Sequence, residues 1–307
     1  MIPLKIELPE GFLDEEVRCG YTVTKQMKEV WAVELDLAVQ LLDVCKRHNI
    51  QVFAEAGTLL GAARHKGFIP WDDDMDFCMM RSEYDKFCKI APAEFKEPYF
   101  FQTGYTEPEC MRGHAQLRNS MTTGIIKVEA GMHDFNQGIF IDIFPLDELY
   151  DDNKGFKQQK KRADHAQDMF QRINDYLYTK HKKNFLKLVY CKIADMMCSR
   201  ADWFNKYEQS LQEANGKGNE RVSLLCLMPV ALKYARIKTA YDKVEMLPFE
   251  NLTFPAPAGY ESVLADLYGD WHKFVKGSSV HGGVYYDTSN SYKKYLSGEL
   301  EIKSFDK

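Results

Sequence analysis

An α/β (α+β) fold, with a mixed-sheet core and an added helical subdomain, is predicted by three features of the 307-residue sequence. Apolar residues recur every three or four positions from about 22 to 48. Short apolar or alternating segments follow at 50–54, 74–79 and 139–144. From about 154 to 212 the chain becomes polar, lysine-rich and helical in period. A 3.6-residue period marks a helix with a buried face, and a period of two marks a strand. We assign residues 1–150 to the mixed-sheet core, and 151–307 to a helical subdomain and a tail that can return to that core.

The first helix, Thr22 to His48, would bury Met27, Trp31, Leu35, Ala38, Leu42 and Cys45 on one face. Ile50, Val52 and Ala54 alternate as a short strand, and Glu55-Ala56-Gly57 turns into a brief helix from Thr58 to Arg64. A second strand is expected from Asp74 to Met79. Ser82, with Asp85 three residues on, reads as the N-cap of a helix from Glu83 to Ala91. Strands and turns fill 99–123, and Ile139 to Phe144 is an apolar strand ended by Pro145. The tail holds a hairpin, Val244 to Phe254, and a short helix, Glu261 to Tyr268.

The net charge of −5 and pI near 6.0 argue against nucleic acid as a partner. The start, MIPLKIELPEGFLDEE, lacks the basic and apolar parts of a signal peptide. No run approaches the roughly 20 apolar residues of a membrane helix. A cytoplasmic location is expected, with peripheral membrane contact left open. Eight cysteines without a Cys-x-x-Cys pair read as reduced core thiols.

The chemistry concentrates in GTLLGAARHKGFIPWDDDMDF, residues 57–77. Residues two apart on a strand share a face, so Asp74 and Asp76 point together, with Cα atoms about 6.5 Å apart. Two such carboxylates repel, one pKa rises, and a hard divalent cation resolves the conflict. The alternative is a solvated acidic turn after Pro70. Gly57 and Thr58 sit at a strand-to-helix junction, where a phosphate can approach the backbone; Thr58 as a plain N-cap is the alternative. Asp142 lies inside the apolar run Gly138 to Phe144, where a charge is expensive unless paired or metal-bound. It is either a third carboxylate, ligand or general base, or half of a salt bridge. Arg64 could grip a phosphate with both guanidinium arms or pair with a nearby aspartate. Arg118 opens a polar cluster suited to a phosphate or ribose, and His281, in a glycine-rich stretch, is a candidate donor near a leaving group.

Residues 57–77 resemble the signature of the LicD family, which includes the fukutin-related proteins. The pattern is Gly-Thr-Leu-Leu-Gly-Ala, Arg64-His65, then Ile-Pro-Trp-Asp followed by Asp-x-Asp. Phe140-Ile-Asp-Ile-Phe-Pro-Leu146 is similar to a second family segment. The tail adds Leu247-Pro-Phe-Glu250, Phe254-Pro255, Leu267-Tyr-Gly-Asp-Trp271 and His281. One departure is Ala56, where many members carry Gly. The resemblance implies a nucleotidyltransferase-like fold. It also implies transfer of a phospho-alcohol, most typically phosphocholine, from a CDP-linked donor to a glycan hydroxyl. Asp74, Asp76 and Asp142 would hold magnesium, with manganese as the alternative, and Gly57 and Thr58 would support the donor's phosphates. A metal-dependent glycosyltransferase using a nucleotide sugar through Asp-x-Asp is the competing reading.

Overall fold

The computed structural model describes residues 1–179, 184–275 and 283–305. A short hairpin, β1 (Glu16–Arg18) and β2 (Tyr21–Val23), leads into α1 (Lys25–Arg47), capped by the Thr24 hydroxyl at its start. Val30 through Ala38 are all buried. Nine consecutive residues circle a helix more than twice, so α1 is covered on every side rather than along one stripe. The N-terminal segment supplies the extra cover: the Lys5 and Ile6 amides donate to buried Asp36 at 2.9 and 3.0 Å, and the Tyr99 hydroxyl donates to it at 2.6 Å.

β3 is only Phe53–Ala54, shorter than its apolar alternation suggests. α2 (Ala56–Leu60) runs into a wider π-helical turn, Gly61–His65. β4 is Asp76–Met80, so Asp74 lies two residues ahead of the strand. α3 spans Arg81–Glu94 and begins at Met80 without a side-chain cap, which moves Ser82 inside the helix. β5 (Tyr99–Gln102), β6 (Ala115–Asn119) and β7 (Thr123–Ile126) precede β8, Ile139–Leu149. β8 continues through Pro145. It pairs with β6 only to Ile143 and with the next strand only from Asp147. The missing N–H of Pro145 falls in that gap and breaks neither ladder.

Three helices follow, α4 (Asn153–Leu177), α5 (Phe185–Met197) and α6 (Arg200–Leu211). Next come β9 (Arg221–Ser223), β10 (Arg236–Ile237), the hairpin β11 (Val244–Phe249) and β12 (Leu252–Pro257), and α7 (Tyr260–Tyr268). The chain ends with β13 (Val284–Asp287) and α8 (Tyr292–Leu296), neither evident from periodicity.

The fold is α/β around one mixed sheet. Its central path runs β10-β9-β8-β4-β3, and β6, carrying β5, pairs with the first half of β8. β4 and β8 are parallel and the other pairs antiparallel. β13 pairs with β7, which brings the tail back to the core. Aromatic rings join the layers: Trp31 stacks on Phe68 at 4.5 Å, Phe68 meets Phe249, and Phe249 and Phe77 both meet Phe254. Such pairs contribute about 1 kcal/mol each beyond area burial. Among the described residues no helix is long and apolar enough to cross a membrane.

Two buried ion networks fasten the sheet. Arg236 on β10 donates to both oxygens of Glu55, at 2.7 Å each, and both side chains are fully buried. Breaking such a pair on one side costs roughly 3–5 kcal/mol. Arg81 clamps Asp147 of β8 at 2.8 and 2.6 Å and reaches Glu208 of α6 at 3.2 Å.

Burial lifts the Glu208 carboxyl from 4.5 to about 7, against the opposing pull of Arg81. A carboxyl raised on folding costs stability as pH climbs from its unfolded value through its folded one. Glu208→Gln should therefore melt close to wild type at pH 4 and above it at pH 8. Thermal scans at both values check this, and a gap that does not widen with pH contradicts it.

Candidate active site

The acidic centre is built at the start of β4, against the middle of β8. In the parallel register Asp76 stands opposite Asp142, and the Asp142 amide donates to the Met75 carbonyl at 2.9 Å. Registered residues on adjacent strands point to the same face, with the strands about 4.8 Å apart. Burial alternates just upstream: Asp72, Asp74 and Asp76 are half-buried, while Asp73, Met75 and Phe77 are buried. Asp74 and Asp76 therefore share a side although Asp74 precedes the strand. Asp72, Asp73 and Asp74 each present a carboxylate oxygen within 4.8 Å of the others. Asp74 is common to this triple and to the predicted set.

The backbone of this run is pinned from four elements. The indole of Trp31 on α1 donates to the Asp72 carbonyl at 3.0 Å, and the Tyr286 hydroxyl on β13 donates to the Asp73 carbonyl at 2.8 Å. β8 takes the Met75 carbonyl, and the Thr58 hydroxyl of α2 accepts from the Asp76 amide at 2.8 Å. Four hydrogen bonds hold carboxylates where their own repulsion would spread them.

Burial, then the charges of Asp74, Asp142, Asp72 and Glu55, push the Asp76 carboxyl well above the ordinary range. Burial also works against Asp142, yet the charge and hydrogen bond of His114, with Gln116, hold its carboxyl below the usual value. Gln116 donates to Asp142 Oδ1 at 2.7 Å, and His114 Nε2 lies 3.3 Å from the same oxygen. Both partners meet Oδ1, which leaves Oδ2 for a ligand. The donors at the centre are all carboxylate oxygens, the set that hard divalent cations prefer.

The remaining predicted residues divide. Gly57 lies against the centre: a Cβ there would sit 2.5 Å from Asp72 Oδ2. Thr58 is buried and uses its oxygen on the Asp76 amide. Arg64 donates through one nitrogen to the Trp271 and Lys273 carbonyls, both at 2.9 Å, so it ties the tail to the π-helical turn. Its Nε donates to His65 Nε2 at 3.0 Å, and burial with the Arg64 and Arg18 charges lowers His65 to about 4, leaving it neutral at pH 7. Arg118 is fully buried behind the site, on Gln102, the Gly138 carbonyl and Gln116. Burial, then Arg112, lowers its pKa to about 10. It orients Gln116 and, through it, Asp142. His281 lies outside the described residues.

Four residues at the centre went unnoticed in the sequence. Glu34 of α1 is 1% exposed, and its Oε2 has no hydrogen-bond partner among the described residues. Burial, then Asp74, Asp73, Asp72 and Asp142, lift its carboxyl well above the ordinary range. His114, Gln116 and Tyr286 complete the set. The one legible signal was Glu34-Leu35-Asp36, two acids inside the most apolar stretch of α1.

Residues 49–190 match the family model described as LicD/FKTN/FKRP, nucleotidyltransferase domain. This stretch is a LicD-family domain. A lipopolysaccharide cholinephosphotransferase, LicD, of Haemophilus influenzae is 42% identical over 77 residues, 25% of this chain and 29% of that protein. Uncharacterised proteins of Rickettsia typhi and Rickettsia prowazekii are 44% and 41% identical over 55 and 64 residues. Those alignments cover 18% and 21% of this chain, and 18% and 22% of the relatives. The chain thus spans less than a third of the length of the curated relatives it matches. The LicD-family domain contains Asp74, Asp76 and Asp142, whereas Glu34 and Tyr286 reach the centre from outside it.

Ala56 opens α2 of the LicD-family domain with φ +43°, a left-handed conformation that costs an L-residue about 1 kcal/mol or more. Ala56→Gly should raise stability by about 1 kcal/mol, less the greater entropy of an unfolded glycine. Denaturant midpoints at constant slope measure the difference, and a lower midpoint contradicts it.

Proposed function

We propose that this chain transfers a phospho-alcohol group, most typically phosphocholine, from a CDP-linked donor to a hydroxyl of a cell-surface or lipid-linked glycan, releasing CMP in the cytoplasm. The observation that carries the reading is Asp76 in register beside Asp142, with Asp74 two residues upstream on the same side. The name of the Haemophilus relative supports choline as the alcohol and a glycan as the acceptor.

Magnesium, or manganese in its place, bound to Asp74 and Asp76, with Asp142 as the third carboxylate beside it, would neutralise the donor's diphosphate and the departing CMP. Gly57 lets the Asp72 carboxylate lie against the backbone at the start of α2, where a side chain would displace it, and the same bare backbone would support the donor's phosphates. The Thr58 oxygen accepts from Asp76, so its proton is free to donate to a phosphate oxygen. Asp142, kept ionised by His114 and Gln116, uses Oδ2 to orient the acceptor hydroxyl. Arg118 positions that group from behind and does not touch substrate.

Asp76→Asn and Asp142→Asn should each lose about a hundredfold or more in phosphocholine transfer from CDP-choline, the scale of losing a principal electrostatic contribution of about 3 kcal/mol. Calorimetry should find CDP-choline binding to wild type only with magnesium. A panel of CDP-choline, CDP-ethanolamine, CDP-glycerol, CDP-ribitol, UDP-sugars and GDP-sugars, read by nucleotide release, separates the readings. CMP release supports this one, and UDP or GDP release supports a glycosyltransferase. Near-normal transfer by either variant contradicts the assignment.

A further inference from the structure

α5 carries an apolar stripe that the described residues do not cover. Phe185, Leu186, Val189, Tyr190, Ile193, Met196 and Met197 are between 39% and 88% exposed. Their spacing of three, four or one places them along one side of the helix. The opposite side is narrow: Leu188 and Ala194 are half-buried, and Cys191 is buried with its thiol 3.7 Å from the Arg172 carbonyl of α4. α5 is thus seated by small contacts and presents its large residues outward. A patch of seven such side chains is more than a soluble monomer ordinarily leaves in water.

The charge around the stripe identifies what covers it. Lys187 and Lys192 lie on α5 and are exposed, and Asp195 is its only acid. In the sequence, Lys180, Lys182 and Lys183 come directly before. In a chain of net charge −5, the sequence from 180 to 197 thus carries five lysines and one acid. Thirteen residues span about 20 Å, too short to cross a bilayer but suited to lying within its surface. We propose that α5 docks in the plane of an anionic lipid bilayer, its apolar stripe among the acyl chains and its lysines at the headgroups.

A cavity of about 300 Å³ lies between residues 109–112, 129–135 and the α4 residues Phe170, Gln171, Asn174 and Asp175. It contains Arg112, whose charge acts on Asp142. α4, which seats α5, also walls this cavity, and docking would hold the cavity near a lipid-borne hydroxyl. This last step rests on the proposed transferase activity; the docking itself does not.

The test is co-sedimentation of the full chain with vesicles of phosphatidylcholine alone, or with about 30% phosphatidylglycerol, at low and high salt. Wild type should bind the anionic vesicles at least about tenfold more tightly, and less so in high salt. Leu186→Glu with Met197→Glu should lose binding at least about tenfold. Its melting temperature and its CDP-choline binding should not change, since both residues are exposed and remote in sequence from the acidic centre. Lys187→Glu with Lys192→Glu should weaken binding to anionic vesicles and leave neutral ones unaffected. The proposal is overturned by wild type that stays in the supernatant, or by a Leu186/Met197 variant that still sediments. It is also overturned if light scattering shows a dimer, abolished by that variant, in a protein that binds no vesicle. CDP-choline binding reads the transferase assignment separately, so either idea can fail alone.

Discussion

The structure is organised around a repulsion. Asp72, Asp73, Asp74, Asp76, Asp142 and Glu34 crowd the start of one strand, and burial makes each charge costlier than it would be in water. Left to itself, such a run would open toward solvent. It is held by hydrogen bonds to its backbone from Trp31, Tyr286, Thr58 and β8, which come from four separate parts of the chain. Much of the surrounding architecture serves that restraint. The buried middle of α1 carries the indole that reaches the Asp72 carbonyl, and the returning tail, as β13, carries the Tyr286 hydroxyl that reaches Asp73.

Beneath the carboxylates a second layer sets their individual behaviour. Asp76 and Asp142 face one another across two strands, yet their protons are pulled in opposite directions. Asp76 has mainly acids for neighbours, while Asp142 has His114 and Gln116, with Arg118 locking Gln116 from below. Neighbouring titratable groups with opposed pKa shifts are a common mark of chemical function. The arrangement gives a centre in which one carboxylate is reliably ionised and another gains most from a cation. Arg118 is therefore informative despite making no contact with solvent.

The core segments outside the centre show why local sequence rules failed at particular points. Pro145 reads as a strand stop, but β8 exchanges partners from β6 to β9 around it, and no ladder hydrogen bond is demanded there. Ser82 and Asp85 read as a capping pair, yet α3 starts earlier because Arg81 is drawn inward to Asp147 and Glu208. At Pro145 the exchange of partners removes the conflict, and at Ser82 buried ion pairs accompany the loss of a cap worth about 1 kcal/mol.

The sequence by itself determined the α/β class, the first helix, the tail hairpin and the acidic run, because periodicity and charge alternation are written in neighbouring residues. It also placed Asp74 with Asp76, whose shared face needs only the pleat of an extended chain. What tertiary structure decided is which distant residues join them. The register that sets Asp142 beside Asp76 depends on how two strands 66 positions apart align. Glu34 and Tyr286 lie 252 positions apart and meet only when α1 and β13 close on the same loop. Arg64 and Arg118 looked alike as cations near a phosphate site. Packing sent one to the carbonyls of the tail and buried the other behind Gln116, a difference that chain-local chemistry does not encode.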